Sequence, residues 1–194
     1  MILPLGRKFK LGLIVNPFAG IGGALALKGS DGAEVRAQAL AAGAEQLAMH
    51  KAALALKQCL NEKDYFEIYT GNGDLGENTA RALGFDTHVV HYSASAQTQI
   101  EDTLALIDQL LSHHIDMLLF VGGDGTARNV CTQLPFHIPV LGVPAGCKIH
   151  SGVYAITPKA AGVVLKKVIK GELVSLQAAE VRDIDEDMFR QGKV

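Results

Sequence analysis

Five consecutive apolar residues, MLLFV at 117–121, run straight into GGDGT at 122–126. A strand without polar alternation must be covered on both faces, which is the condition of a central strand in a parallel sheet flanked by helices. Parallel neighbours require long crossover connections, so this run constrains the segments on either side of it.

Those segments comply. KLGLIV at 10–15 is a branched apolar run stopped by Asn16 and Pro17, which predicts a strand feeding the loop NPFAGIGG at 16–23. Residues 33–60 are Ala-rich with helical spacing, and Gly43 divides them into two predicted helices after the turn KGSDG at 28–32. Residues 65–70 and 85–92 read as strands with a short helical pattern at 75–83 between them. Ser95 is the expected N-cap of a helix through Ile100, Leu104, Ile107, Leu110 and Leu111, which share one face. A helix over 125–134, a buried strand over 138–143 and a helix entered through Thr157 and Pro158 complete the alternation. The fold class is α/β, a doubly wound, mostly parallel sheet. Residues 1–170 are expected to form the nucleotide-binding domain. Residues 171–194 are expected to begin a β-rich C-terminal domain that the sequence does not complete, with a strand over 173–184.

Composition excludes several functions. The chain of 194 residues is 48% hydrophobic, yet it has no run of the roughly 18 apolar residues that a membrane span requires. Net charge is −2 with no basic stripe, so neither nucleic acid nor membrane is an expected partner. The start, MILPLGRKFK, places its positive charges after a short apolar stretch, unlike a secretory leader, and the expected location is cytoplasmic. Self-association into a homo-oligomer stays open. Cys59, Cys131 and Cys147 show no metal-binding spacing and read as buried thiols. The acidic run at 183–187 reads as solvated.

Ligands of open parallel sheets bind beyond the carboxyl ends of the strands. Three predicted strands end there in unusual loops: NPFAGIGG, GGDGT and PAGCKIHSG at 144–152. In GGDGT, bare glycines would let main-chain amides approach a phosphate at a helix N-terminus. Asp124 stands out, because a carboxylate repels phosphate unless it holds a metal ion or receives a proton from a substrate hydroxyl. A tight turn in which Asp124 or Thr126 caps the helix accounts for the same residues equally well. Lys148, His150 and Ser151 follow the last buried strand and are candidates to meet phosphate or acceptor. The loop TGNGDLGENT at 70–79 is more simply a turn with Asp74 as cap. Neither GxxxxGK[ST] nor a full GxGxxG is present.

The order VNPFAG, GGDGTARNV, GVPAGCKIHSGVYA resembles the ATP-NAD kinase superfamily, and within it the branch of predicted NAD kinases related to the acetoin-catabolism protein AcoX. The similarity extends to LKGSDG, IEDT and EVRDIDEDMFR; GGDGT alone is shared with diacylglycerol kinases. This resemblance implies transfer of a phosphoryl group from ATP, or from inorganic polyphosphate, to the adenosine ribose 2'-hydroxyl of NAD with Mg²⁺. It implies Asp124 as the catalytic carboxylate facing the acceptor, with nucleotide contacts from Gly122, Gly123, Gly125 and Thr126 and from Asn16, Gly20 and Gly22 of the first loop. The Asn-Glu or Asn-Asp pair that holds the dinucleotide in familiar NAD kinases is not found here. Arg128-Asn129 stands where lipid kinases carry Asn-Glu, which argues against a lipid acceptor. A lipid or small-polyol kinase and a non-catalytic nucleotide sensor linked to acetoin catabolism remain the alternatives. No metal ligands are assigned.

Overall fold

The computed structural model describes residues 6–21, 33–93, 98–146, 149–172 and 175–182. Strands β1 (Phe9–Val15), β2 (Phe66–Gly71), β3 (Thr87–His91), β4 (Met117–Gly122) and β5 (Val140–Pro144) form one sheet in the order β3-β2-β1-β4-β5. Every pairing is parallel. The α-helices among the described residues are α1 (Ala33–Ala41), α2 (Ala48–Leu56), α3 (Glu77–Ala82), α4 (Ile100–Ser112), α5 (Asp124–Gln133) and α6 (Pro158–Ile169). A 3-10 segment, Lys57–Tyr65, joins α2 to β2.

β4 is buried along its whole length, as an uninterrupted apolar run requires. Successive side chains point to opposite faces of a strand, and this sorts the core into two layers. Leu11, Leu13, Leu119 and Val121 pack with Ala52, Ala55 and Leu56 of α2 and Leu165 of α6. Ile14, Leu118 and Phe120 pack with Leu106, Ile107 and Leu110 of α4 and with Ala127 and Val130 of α5.

Several predicted boundaries shift. Gly43, at φ +84°, does separate two helices, and Thr157 does cap α6 by accepting from the Ala160 amide at 3.1 Å with Pro158 in the first turn. The cap of α4 is Gln99: it forms a reciprocal box with Asp102, whose carboxylate accepts the Gln99 amide at 2.8 Å. Asp102 therefore caps the first turn of its helix. Burial pushes its carboxyl up, but the bonds from Gln99 and Ser93 and the nearby His91 bring it below the usual range. The strand expected over 173–184 does not form among residues 175–182, which bond to a loop instead of to a neighbouring strand: the Gly152 amide donates to the Glu180 carbonyl at 2.8 Å. Cys59 is buried and donates to the Gly162 carbonyl, whereas Cys131 is only partly buried. Cys147, Ser95 and the acidic run at 183–187 lie outside the described residues. Among the described residues no helix is long and apolar enough to cross a membrane.

Strand order reverses between β1 and β4, so the connections leaving their carboxyl ends diverge and leave a crevice there. One further feature positions residues above it. After β5 the chain loops back and then runs parallel to the outer edge of that strand, where the Gly142 amide donates to the Val153 carbonyl at 2.8 Å and the Ala155 amide donates to the Gly142 carbonyl at 3.0 Å.

Candidate functional site

The three glycine-containing loops meet at the tips of β1, β4 and β5. Asn16 ties the first two together: its amide donates to the Val121 carbonyl at 3.0 Å, and its side-chain Nδ2 donates to Thr126 Oγ1 at 3.0 Å. Its Oδ1 accepts the Phe18 amide at 3.1 Å, so both ends of the carboxamide are used in shaping the loop. Gly20 joins the first loop to the third. It sits at φ +80°, and a Cβ there would lie 2.2 Å from the Ala145 carbonyl oxygen, so only glycine fits.

The glycines of GGDGT divide into two kinds. A Cβ on Gly122 would meet Thr126 Cβ at 2.4 Å, and one on Gly123 would contact Gly146 Cα at 3.5 Å. Close packing thus accounts for glycine at 122, whereas the contact at 123 is an ordinary one that a side-chain carbon could make. Gly125 alone of the three has open space where its Cβ would be. The amides of Gly123, Asp124, Gly125 and Thr126 nevertheless have no acceptor among the described residues. They are the unpaired donors of the first turn of α5, and they carry the positive end of its dipole.

Asp124 does not face open solvent. It is 8% exposed, and the segment returning from β5 lies over it. One oxygen, Oδ2, accepts the His150 amide at 2.7 Å and lies 3.3 Å from His150 Nδ1. The other, Oδ1, accepts the Ser151 amide at 3.2 Å and the Ser151 hydroxyl at 2.7 Å. A carboxylate has about four lone-pair sites; three accept the two amides and the Ser151 hydroxyl and the fourth faces His150 Nδ1, which is how a buried charge is tolerated. The Ser151 hydroxyl has one proton, given to the nearer, charged acceptor, and it accepts the Arg182 amide at 3.0 Å. Segment 180–182 is thereby tied to the same carboxylate.

Asp124, His150 and Ser151 are thus brought together, with Asn16, Gly20 and Thr126 in the supporting frame. Gly22 and Lys148 lie outside the described residues. Two neighbours carried no recognisable sequence signal. Tyr154 donates its hydroxyl to the Gly123 carbonyl at 2.6 Å; burial raises its titration, and the charge of Asp124 raises it further, so the phenol keeps its proton. Lys51, one of many residues in an Ala-rich helix, extends from α2 to the Ala145 carbonyl at 3.3 Å and brings a cation to the junction of the first and third loops.

A cleft of about 370 Å³ opens beside this junction, over the tips of β1 and β2, with Pro17, Phe18, Asn72, Asp74 and Asn78 among its walls. Asp124 is not among them. Glu67, Asp86 and His88 are the one group of three metal-ligating side chains within reach of a single ion among the described residues. They lie near the amino ends of β2 and β3, away from the strand tips, and Asp86 is already paired with Lys8 at 3.1 Å. Among the described residues no further acidic or imidazole side chain joins Asp124 and His150 in a set that could hold Mg²⁺.

Residues 11–173, most of the chain, match the family of the ATP-NAD kinase N-terminal domain. The five-stranded parallel sheet, apart from Phe9 and Lys10 at the start of β1, and the three-loop junction fall inside that span. No curated protein sequence matches the chain.

Proposed function

The chain belongs to the ATP-NAD kinase family through its N-terminal domain, and from that premise we propose that it transfers the terminal phosphoryl group of ATP to the adenosine ribose 2'-hydroxyl of NAD, giving NADP. Membership supports kinase chemistry on nucleotides in general, and it places ATP and NAD among the expected ligands. One observation carries the finer reading: the matched span folds so that an otherwise buried carboxylate, Asp124, stands at the N-terminus of α5 beside four unpaired amides.

Phosphoryl transfer asks a protein chiefly for positioning and for charge stabilisation. The amides of Gly123, Asp124, Gly125 and Thr126 are suited to phosphate oxygens, and Lys51 adds a cation whose ammonium spends one of its three donors on Ala145. Asp124 provides the negative charge that favours removal of the proton from the acceptor hydroxyl. Magnesium is carried on the nucleotide, where it would offset phosphate charge, and no role here depends on a metal held by the protein. Residues beyond 171 would begin the C-terminal layer that closes over these tips.

Incubation with NAD, ATP and Mg²⁺ should yield NADP, and replacing ATP by polyphosphate identifies the donor. A protein that forms no NADP and binds no NAD rules the reading out. The burial of Asp124 and its bonds to residues 150 and 151 favour a second reading, nucleotide binding without turnover, as in a sensor; tight NAD or ATP binding with no NADP would select it.

A further inference from the structure

Both oxygens of Asp124 are already bonded within the protein. Three donors to it are fixed: two are main-chain amides, and the third is the hydroxyl of Ser151, which is 5% exposed. The remaining polar neighbour is the ring of His150, whose side chain is 48% exposed while that of Asp124 is 8% exposed. A hydroxyl arriving from solvent meets the imidazole before the carboxylate. The His150 amide docks the residue on Oδ2 at 2.7 Å, which leaves Nδ1 at 3.3 Å from the same oxygen and Nε2 without a partner among the described residues.

With the proton on Nδ1, this is the arrangement in which an aspartate holds one imidazole nitrogen as a donor and leaves the other free to accept a proton. We infer that His150 is the general base of the phosphoryl transfer and that Asp124 is the residue that orients and charges it. The inference rests on the kinase reading above and changes who takes the proton. In the step, the acceptor hydroxyl gives its proton to His150 Nε2 as its oxygen forms a bond to the terminal phosphorus of ATP. The bond from that phosphorus to the bridging oxygen breaks, and its electron pair leaves on ADP. Asp124 stabilises the resulting imidazolium, which returns the proton to solvent.

The arrangement also gives each carboxylate contact a purpose. Ser151 and the two amides hold Oδ1 and Oδ2 in place, so the ring is the movable partner. Tyr154, through the Gly123 carbonyl, fixes the turn from which Asp124 projects.

The test compares wild type with His150→Asn and His150→Ala. Asparagine can keep a donor near the position of Nδ1 but has nothing at Nε2, and both variants retain the docking amide. NADP formation by His150→Asn should fall about a hundredfold to ten-thousandfold with NAD binding retained, and added imidazole should restore part of the activity of His150→Ala. A His150→Asn protein that keeps the wild-type turnover number overturns the proposal. A second measurement needs no turnover: the nitrogen resonances of the ring, assigned by their disappearance in His150→Asn, should show Nδ1 protonated and Nε2 bare, and Asp124→Asn should abolish that preference. A ring protonated on Nε2, or one indifferent to Asp124→Asn, also overturns it. If wild type makes no NADP, the kinase reading fails while the ring resonances still decide the pairing.

Discussion

Two aspartates follow glycine-rich turns at the carboxyl ends of strands in the same sheet, Asp124 after β4 and Asp74 after β2, yet their partners come from different distances along the chain. Asp74 is exposed and accepts from Asn78 Nδ2 at 2.9 Å, four residues on, while the neighbouring Gly73 amide donates to Glu77 at 2.9 Å. Asp124 is buried, and its partners are 26 and 27 residues away. The first aspartate closes a local turn. The second is held by a segment that must travel along β5 and back before it can reach it. Composition is almost the same in the two loops, so the separation of partners is what distinguishes a turn residue from a site residue.

The sharpest way to break the contrast is to neutralise each acid in turn. Asp124→Asn sets an NH₂ group or a weaker carbonyl against donors that all point inward. It should cost about 1 to 3 kcal/mol of stability, with at least one inward donor left unsatisfied, and about a hundredfold to ten-thousandfold in NADP formation. Denaturant melts paired with initial rates read the two losses separately. A variant with unchanged rate would show that the charge serves the fold alone.

Next in size is Ser151→Ala. It removes the 2.7 Å hydroxyl bond to Oδ1 and leaves the Arg182 amide without its acceptor. Because the site is buried, the expected loss is about 1 to 3 kcal/mol, and amide exchange at 180–182 should accelerate in parallel. Stability unchanged within error would mean that the returning segment is held by its main chain and not by this hydroxyl.

The comparison also marks how far the sequence could be read. MLLFV and the helical spacing around it place the sheet, because burial on both faces leaves no freedom in the choice of residues. GGDGT locates the loop, but its three glycines look alike in sequence. Only the packing of Thr126 under Gly122 shows that this one serves close approach, while Gly123 makes an ordinary contact and Gly125 faces open space. The meeting of His150 with Asp124 depends on a loop that brings the chain back to pair in parallel with the edge of β5, Gly142 with Tyr154, and no periodicity encodes such a return. Gln99 escaped notice as a cap because it lies outside the Ser, Thr, Asp and Asn set, and Lys51 because nothing separates it from its helical neighbours.

The smallest expected effect is the control that gives the others meaning. Asp74→Asn retains a side-chain oxygen for Asn78 Nδ2 and leaves the Gly73 bond to Glu77 untouched. An exposed aspartate in a turn whose partners are four residues away should change stability by no more than about 0.5 kcal/mol. Asp74 also lines the cleft over β1 and β2, so binding is the informative readout. If this acid is only a turn residue, the affinities for ATP and NAD should be those of wild type. A loss of ATP affinity with stability intact would move the nucleotide into that cleft, and the line between local turn and site would then have to be drawn by cavity and not by the reach of the partners.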